Sequence, residues 1–98
     1  MNADLIHKAL ANPLRREILA WLKTPREAFA MGYIDLGHGV PVSAIQQRSG
    51  LAQSTISAHL ATLVDASLLV TTRVGQWTFL ARNEALIRAF AAQLHRQL

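Results

Sequence analysis

The chain has 98 residues, 51% of them hydrophobic and 16% charged, with a net charge of +4; this supplies one small core, excludes wholesale disorder, and permits an anionic partner such as nucleic acid. Cysteine is absent, which excludes disulfides, thiolate metal sites and thiol redox chemistry. No run of eighteen apolar residues marks a membrane span, and the start of the chain, polar at Asn2 and Asp4, has no signal-peptide layout, so a cytoplasmic protein is expected.

Residues 3–10, "ADLIHKAL", read as a short helix with Leu5, Ile6 and Leu10 apolar. The stretch "NPLRREILAWL" reads as a second helix. Asn12 suits the N-cap, and Pro13 falls at the first helical position, where its missing N–H costs nothing. Leu14, Ile18, Leu19 and Leu22 share one face at helical spacing, with Arg15, Arg16, Glu17 and Lys23 on the other. Residues 24–41 hold two Pro and three Gly with no sustained period, and read as a long connection with one helical turn near 25–31. Its Phe29, Met31, Tyr33, Ile34 and Leu36 are expected to pack on the body, or to line a pocket for an unknown small-molecule effector. "VSAIQQRSG" reads as a short helix with Ser43 as its cap and Gly50 as a left-handed exit.

A longer helix follows over about 53–66, with Ile56, Leu60, Leu63 and Val64 along one side. Then the period changes. "LLVTTRV" (68–74) and "WTFLAR" (77–82) are rich in β-branched and aromatic residues and read as a hairpin, with Gly75 taking the positive φ that Val74 resists. Trp77 and Phe79 are expected to pack on the core. The final helix, "NEALIRAFAAQLHRQL", has Asn83 as its cap and Leu86, Phe90 and Leu94 every four residues, with Ile87, Ala91 and Leu98 beside them. The whole reads as a single domain, 1–98, mainly α with a β-hairpin wing (α+β). Its short helix, Ser49-Gly50-Leu51 turn, second helix and following hairpin make a winged helix-turn-helix.

"KALANPLRREILAWL" and "SGLAQSTISAHLATLVDASLLVTTRVGQWTFLARN" together resemble the ArsR-type (arsenic-responsive repressor) family of winged helix-turn-helix transcription regulators. The resemblance implies a homodimer that binds operator DNA and usually represses. It also implies that the first and last helices form the dimer interface, here through Leu5, Ile6, Leu86, Ile87, Phe90 and Leu94. Many members carry a Cys-x-Cys pair, or Asp and His sets on the last helix. This chain has Val40 and Val42 at the first place, and only Glu84 and His95 at the second. It also has Ala52 where a Ser is usual, and Ala58 where a basic residue is usual.

A recognition helix puts its N-terminal side chains against base edges and phosphates. On that reading Gln53, Ser54, Thr55, Ser57 and His59 face DNA, and Ile56, Leu60 and Leu63 face the core. The hydroxyls also suit a purely local role in capping. No Lys or Arg lies between Arg48 and Arg73, so phosphate-binding cations come from the flanks: Arg48, Arg73 with Gln76 at the wing, and the Arg15, Arg16, Lys8 group. A shallow salt dependence is expected. The same gap leaves open a winged-helix module that binds another protein. No pair among His7, His38, His59 and His95 has the spacing of a helical metal site, Asp35 and His38 being the nearest to one. No cofactor is implied, and no nucleophile–base pair, phosphate-cradling glycine loop or carboxylate cluster points to an enzyme.

Overall fold

The computed structural model describes residues 1–29 and 37–98. Asparagine side chains start three of its helices. In α1 (Ala3–Leu10), Asn2 accepts from the N–H of Leu5; in α2 (Pro13–Lys23), Asn12 accepts from Leu14 and Arg15; in α6 (Glu84–Gln97), Asn83 accepts from Leu86. Each cap satisfies donors that a helix start leaves orphaned. A single turn, α3 (Pro25–Ala28), follows α2. Strand β1 (Val40–Pro41) runs directly into α4 (Val42–Ser49), and α5 (Gln53–Asp65) follows after a turn. The hairpin strands are β2 (Leu69–Val74) and β3 (Trp77–Arg82).

Gly50 closes α4 in the left-handed conformation, at φ 70°, with its N–H on the carbonyl of Gln46. Gly75 turns the hairpin at φ 60°. Ser43 is not the cap of α4: Pro41 occupies that place and makes no side-chain cap.

Strand β1 is an element that the sequence pattern did not announce. It pairs antiparallel with β3, Val40 opposite Leu80 and Pro41 opposite Phe79, giving a three-stranded sheet in the order β1-β3-β2. Two residues carry no periodicity, so only the tertiary partner defines the strand. Gly39, at φ 109°, brings the chain against β3 so closely that a Cβ would lie 2.2 Å from the carbonyl oxygen of Leu80.

The core lies where α1, α2, α4 and α5 meet the inner face of the sheet. Ile6, Ile18, Ile45, Ile56 and Leu63 are fully buried there, with Val40, Leu68 and Leu80 against them. Each such side chain contributes about 1.5–3 kcal/mol relative to exposure. Among the described residues no buried side-chain polar atom lacks a partner, and no helix is long and apolar enough to cross a membrane.

Candidate nucleic-acid interface

The residues of α5 divide by helical geometry. Ile56, Leu60 and Leu63 are buried and fix the inward direction. At about 100° per residue, Ser54 and Ala58 then point straight away from the core. Gln53 and Ser57 lean to the side of the wing, and Thr55 and His59 lean to the side of α1 and α2. Gln53, Ser54, Thr55, Ser57 and Ala58 are exposed and His59 is half-buried. Of the side chains expected to face DNA from this helix, Ser54, Thr55 and Ser57 lie on its solvent half, and Gln53 and His59 flank it on opposite sides.

Helix α5 begins without a side-chain cap. Ala52 holds the N-cap in extended conformation and offers no acceptor, and no acidic residue stands in the first turn. The first intrahelical bond is from the N–H of Ile56 to Ala52. The N–H groups before it, with the positive end of the helix dipole, face an exposed surface. α4 opens the same way, behind Pro41 and with Ser43 exposed in its first turn. The two helices of the helix-turn-helix thus keep open N-termini, whereas α1, α2 and α6 are closed by asparagine.

A cleft of about 380 Å³ joins these two helix starts to the wing. Ser43 and Gln46 of α4, Gln53 of α5, and Gln76, Trp77 and Thr78 of the hairpin line it. Trp77 is 55% exposed, which corrects the expectation that it packs on the core. The reason is register. Trp77, Phe79 and Ala81 pair with Val74, Thr72 and Val70, while Thr78 and Leu80 pair with Arg73 and Thr71. Leu80 is buried, so the face alternating with it turns outward. Phe79 is half-buried, its ring 5.8 Å from that of His38 and 6.5 Å from that of Trp77. The alternation of "WTFLAR" held this information, but residue type suggested the opposite. Ser43, Gln46, Trp77 and Thr78 line the candidate interface and were not singled out by sequence reasoning. The uncapped start of α4 and the strand register were their signals.

The cations are distributed differently from expectation. Arg48 places Cζ 4.9 Å from the centre of the Trp21 ring and donates from Nη1 to the carbonyl of Ala28 at 2.8 Å, so it braces α4 against α2 and α3. Arg16 donates to the carbonyl of Leu10 at 2.6 Å, and Arg15 to those of Ala9 and Lys8. Together they cover the last carbonyls of α1. Arg73 and Gln76 are exposed on the hairpin. Arg73 shares the face of Leu69 and Thr71, and Thr71 lines a crevice with Ser57 and Leu60 of α5. Arg73 is therefore on the recognition-helix side of the wing.

At the other end of the molecule, α6 buries a single residue, Phe90, whose ring meets that of His7 edge-on at 5.2 Å. Leu86, Ile87 and Leu94 are half-buried and Leu5 is exposed. Ile6 (0%) and Phe90 (5%), two of the residues expected to face a second copy, are buried in the chain's own core.

Among the described residues no three His, Asp or Glu side chains gather as a metal site requires. Glu84 pairs with Arg82. Asp35 lies outside the described residues, as do Met31, Tyr33, Ile34 and Leu36. Phe29 is buried, with Trp21 edge-on to it.

No protein-family model matches the chain. YbzH, an HTH-type transcriptional regulator of Bacillus subtilis, is 38% identical over 95 residues, covering 95% of each chain. HlyU from Vibrio cholerae has a TM-score of 0.67 at 29% identity, over 97% of this chain and 89% of its own. NolR from Sinorhizobium fredii gives 0.64 at 26%, over 93% and 79%. The crystal structure of an ArsR family transcriptional regulator gives 0.71 at 24%, over 96% and 84%, and shows the shared fold. An open-ended helix beside a wing, on this fold and with these relatives, defines a winged helix-turn-helix DNA-binding transcription regulator. The chain belongs to the ArsR-type family of such regulators.

Proposed function

We propose that the protein is a homodimeric repressor that binds operator DNA through α5 and the wing and has no thiolate metal site. One observation carries the DNA reading. The first two turns of α5 expose Gln53, Ser54, Thr55 and Ser57 around an uncapped helix start. Such an end binds phosphate, and its side chains read base edges in the major groove. Gln53 is suited to adenine, and the Ser and Thr hydroxyls to bases or phosphate. Arg73 and Gln76 serve the neighbouring backbone or minor groove from the wing, while Arg48 positions α4.

The dimer follows from α6. A fourteen-residue amphipathic helix that buries one side chain leaves an apolar surface uncovered. A second copy covers it at Leu5, Leu86, Ile87 and Leu94, which gives the two-fold symmetry of a paired half-site. Val40, buried in the core, and Val42 stand where thiolates would bind metal.

A second reading, a module that binds protein, draws on the outer face of the wing, where Val70, Val74 and Trp77 are 47%, 43% and 55% exposed. Fluorescence anisotropy with a duplex from the region upstream of the protein's own reading frame, against a scrambled duplex, separates the two. The expected result is binding at least about tenfold tighter to the upstream duplex, lost in Gln53→Ala/Ser57→Ala because each base contact is worth about 1–3 kcal/mol. Equal weak binding to both duplexes, unchanged in the variant, supports the protein module instead. Transcription from the same promoter in vitro should fall as the protein is added; a rise would refute repression.

A further inference from the structure

Arg15 stands in the first turn of α2, yet its guanidinium reaches two other helices. Nε donates to the carbonyl of Ala9 at 2.8 Å and Nη2 to that of Lys8 at 3.0 Å, both at the end of α1. Nη1 lies 3.2 Å from Nδ1 of His59 on α5. A guanidinium carries donors only. The His59 nitrogen that faces it must therefore accept, and in the neutral ring the proton then sits on Nε2. A histidine without such a neighbour exchanges between tautomers, offering a donor or an acceptor at the same place. His59 has one of these options removed.

His59 follows Thr55 by one helical turn, on the flank of the reading face that leans toward α1 and α2. We propose that Arg15 is a positioning residue that fixes His59 as an Nε2–H donor, so that the recognition helix meets an acceptor on DNA, a purine N7 or a phosphate oxygen, at this point. The inference rests on the operator-binding reading for its DNA partner, but not for the tautomer. The arrangement discriminates against the amino group of cytosine, itself a donor. It also ties the end of α1 to the reading face through one planar group with fixed donor directions, which an ammonium cannot reproduce.

Long-range ¹H–¹⁵N spectra of the free protein, recorded with neutral histidine rings, read the tautomer directly. In the wild type His59 should carry its proton on Nε2. In Arg15→Lys and Arg15→Gln, with the remaining spectrum still that of a folded protein, it should become a mixture. A proton on Nδ1 in the wild type, or an unaltered tautomer in both variants, would overturn the assignment. The second arm measures affinity for a duplex that the wild type binds. His59→Leu should weaken binding about tenfold and Arg15→Lys only about twofold, because a tautomer mixture keeps the donor form at about half population, and the double variant should be no weaker than His59→Leu. His59→Gln, which keeps an N–H near the same place, should retain most of the affinity. Losses that multiply in the double variant would show that Arg15 does not act through His59. If the wild type binds no duplex, the operator-binding reading fails, and the spectra still decide whether Arg15 sets the ring.

Discussion

At position 39 only a hydrogen atom fits. A Cβ there would meet the Leu80 carbonyl oxygen at 2.2 Å, and the φ of 109° is foreign to other residues. Gly39→Ala should therefore cost about 3 kcal/mol or more, combining backbone strain with overpacking. Gly50 is also left-handed but has open space around it, so Gly50→Ala should cost only about 1–2 kcal/mol. Urea midpoints of the two variants check the ranking, and equal losses would show that crowding at β3 is not the cause. Ser67 presents the converse. It leaves α5 at φ 63°, a conformation unusual for a residue with a side chain. Its N–H bonds the carbonyl of Val64, and that of Leu68 the carbonyl of Leu63, which is the Schellman pattern that glycine usually closes. Ser67→Gly should raise stability by roughly 1 kcal/mol, seen as a higher urea midpoint with an unchanged slope.

Among the elements, α5 gives up stability at the end where it is expected to work. An acidic or hydroxyl cap at position 52 would be worth about 1 kcal/mol, and Ala52 forgoes it. Ala52→Asp should accordingly raise stability by about that amount, seen as a higher urea midpoint, while weakening operator binding about tenfold or more, because a carboxylate would occupy the end that attracts phosphate. Opposite signs in the two measurements are the test; a variant both more stable and equally tight on DNA would mean that this helix end does not approach phosphate. The helices were legible in sequence for the same local reasons that form them. Asn12, Asn83 and Gly50 mark boundaries by their own chemistry. What escaped was set by partners distant in sequence. Strand β1 exists because Val40 and Pro41 meet β3 some forty residues on. The orientation of Trp77 follows from which face of the hairpin Leu80 anchors. At the candidate interface the polar face of α5 was legible from its periodicity, but the turning of Arg48 onto Trp21 and of Arg15 onto α1 and His59 depends on contacts across the fold.

At the scale of the whole molecule, the apolar face and the charge distribution bear on how DNA is held. Leu5 is 39% exposed and lies outside the core cluster, so Leu5→Glu probes association without opening the interior. It should leave helix content unchanged, yield monomers at micromolar concentration in sedimentation, and weaken operator binding at least about tenfold, since a two-fold site loses half its contacts. A dimeric Leu5→Glu protein would place the interface elsewhere. Charge sets a second constraint. The net charge is +4, yet the guanidinium groups of Arg15, Arg16 and Arg48 are engaged by the protein's own carbonyls and an indole. Beside the reading face this leaves chiefly Arg73, with helix ends and hydroxyls making the remaining phosphate contacts. Neutral donors release few counterions, and each phosphate neutralised contributes about 0.9 to the slope of log affinity against log salt. The dimer should therefore show a slope of only about −2 to −4, and Arg73→Ala, which removes one cation from each protomer, should flatten it by nearly 2. A slope steeper than about −6 would require the arginines now held by the protein's own carbonyls and indole to swing out to DNA. In that case Arg48 and Arg16, rather than the open end of α5, would supply most of the affinity.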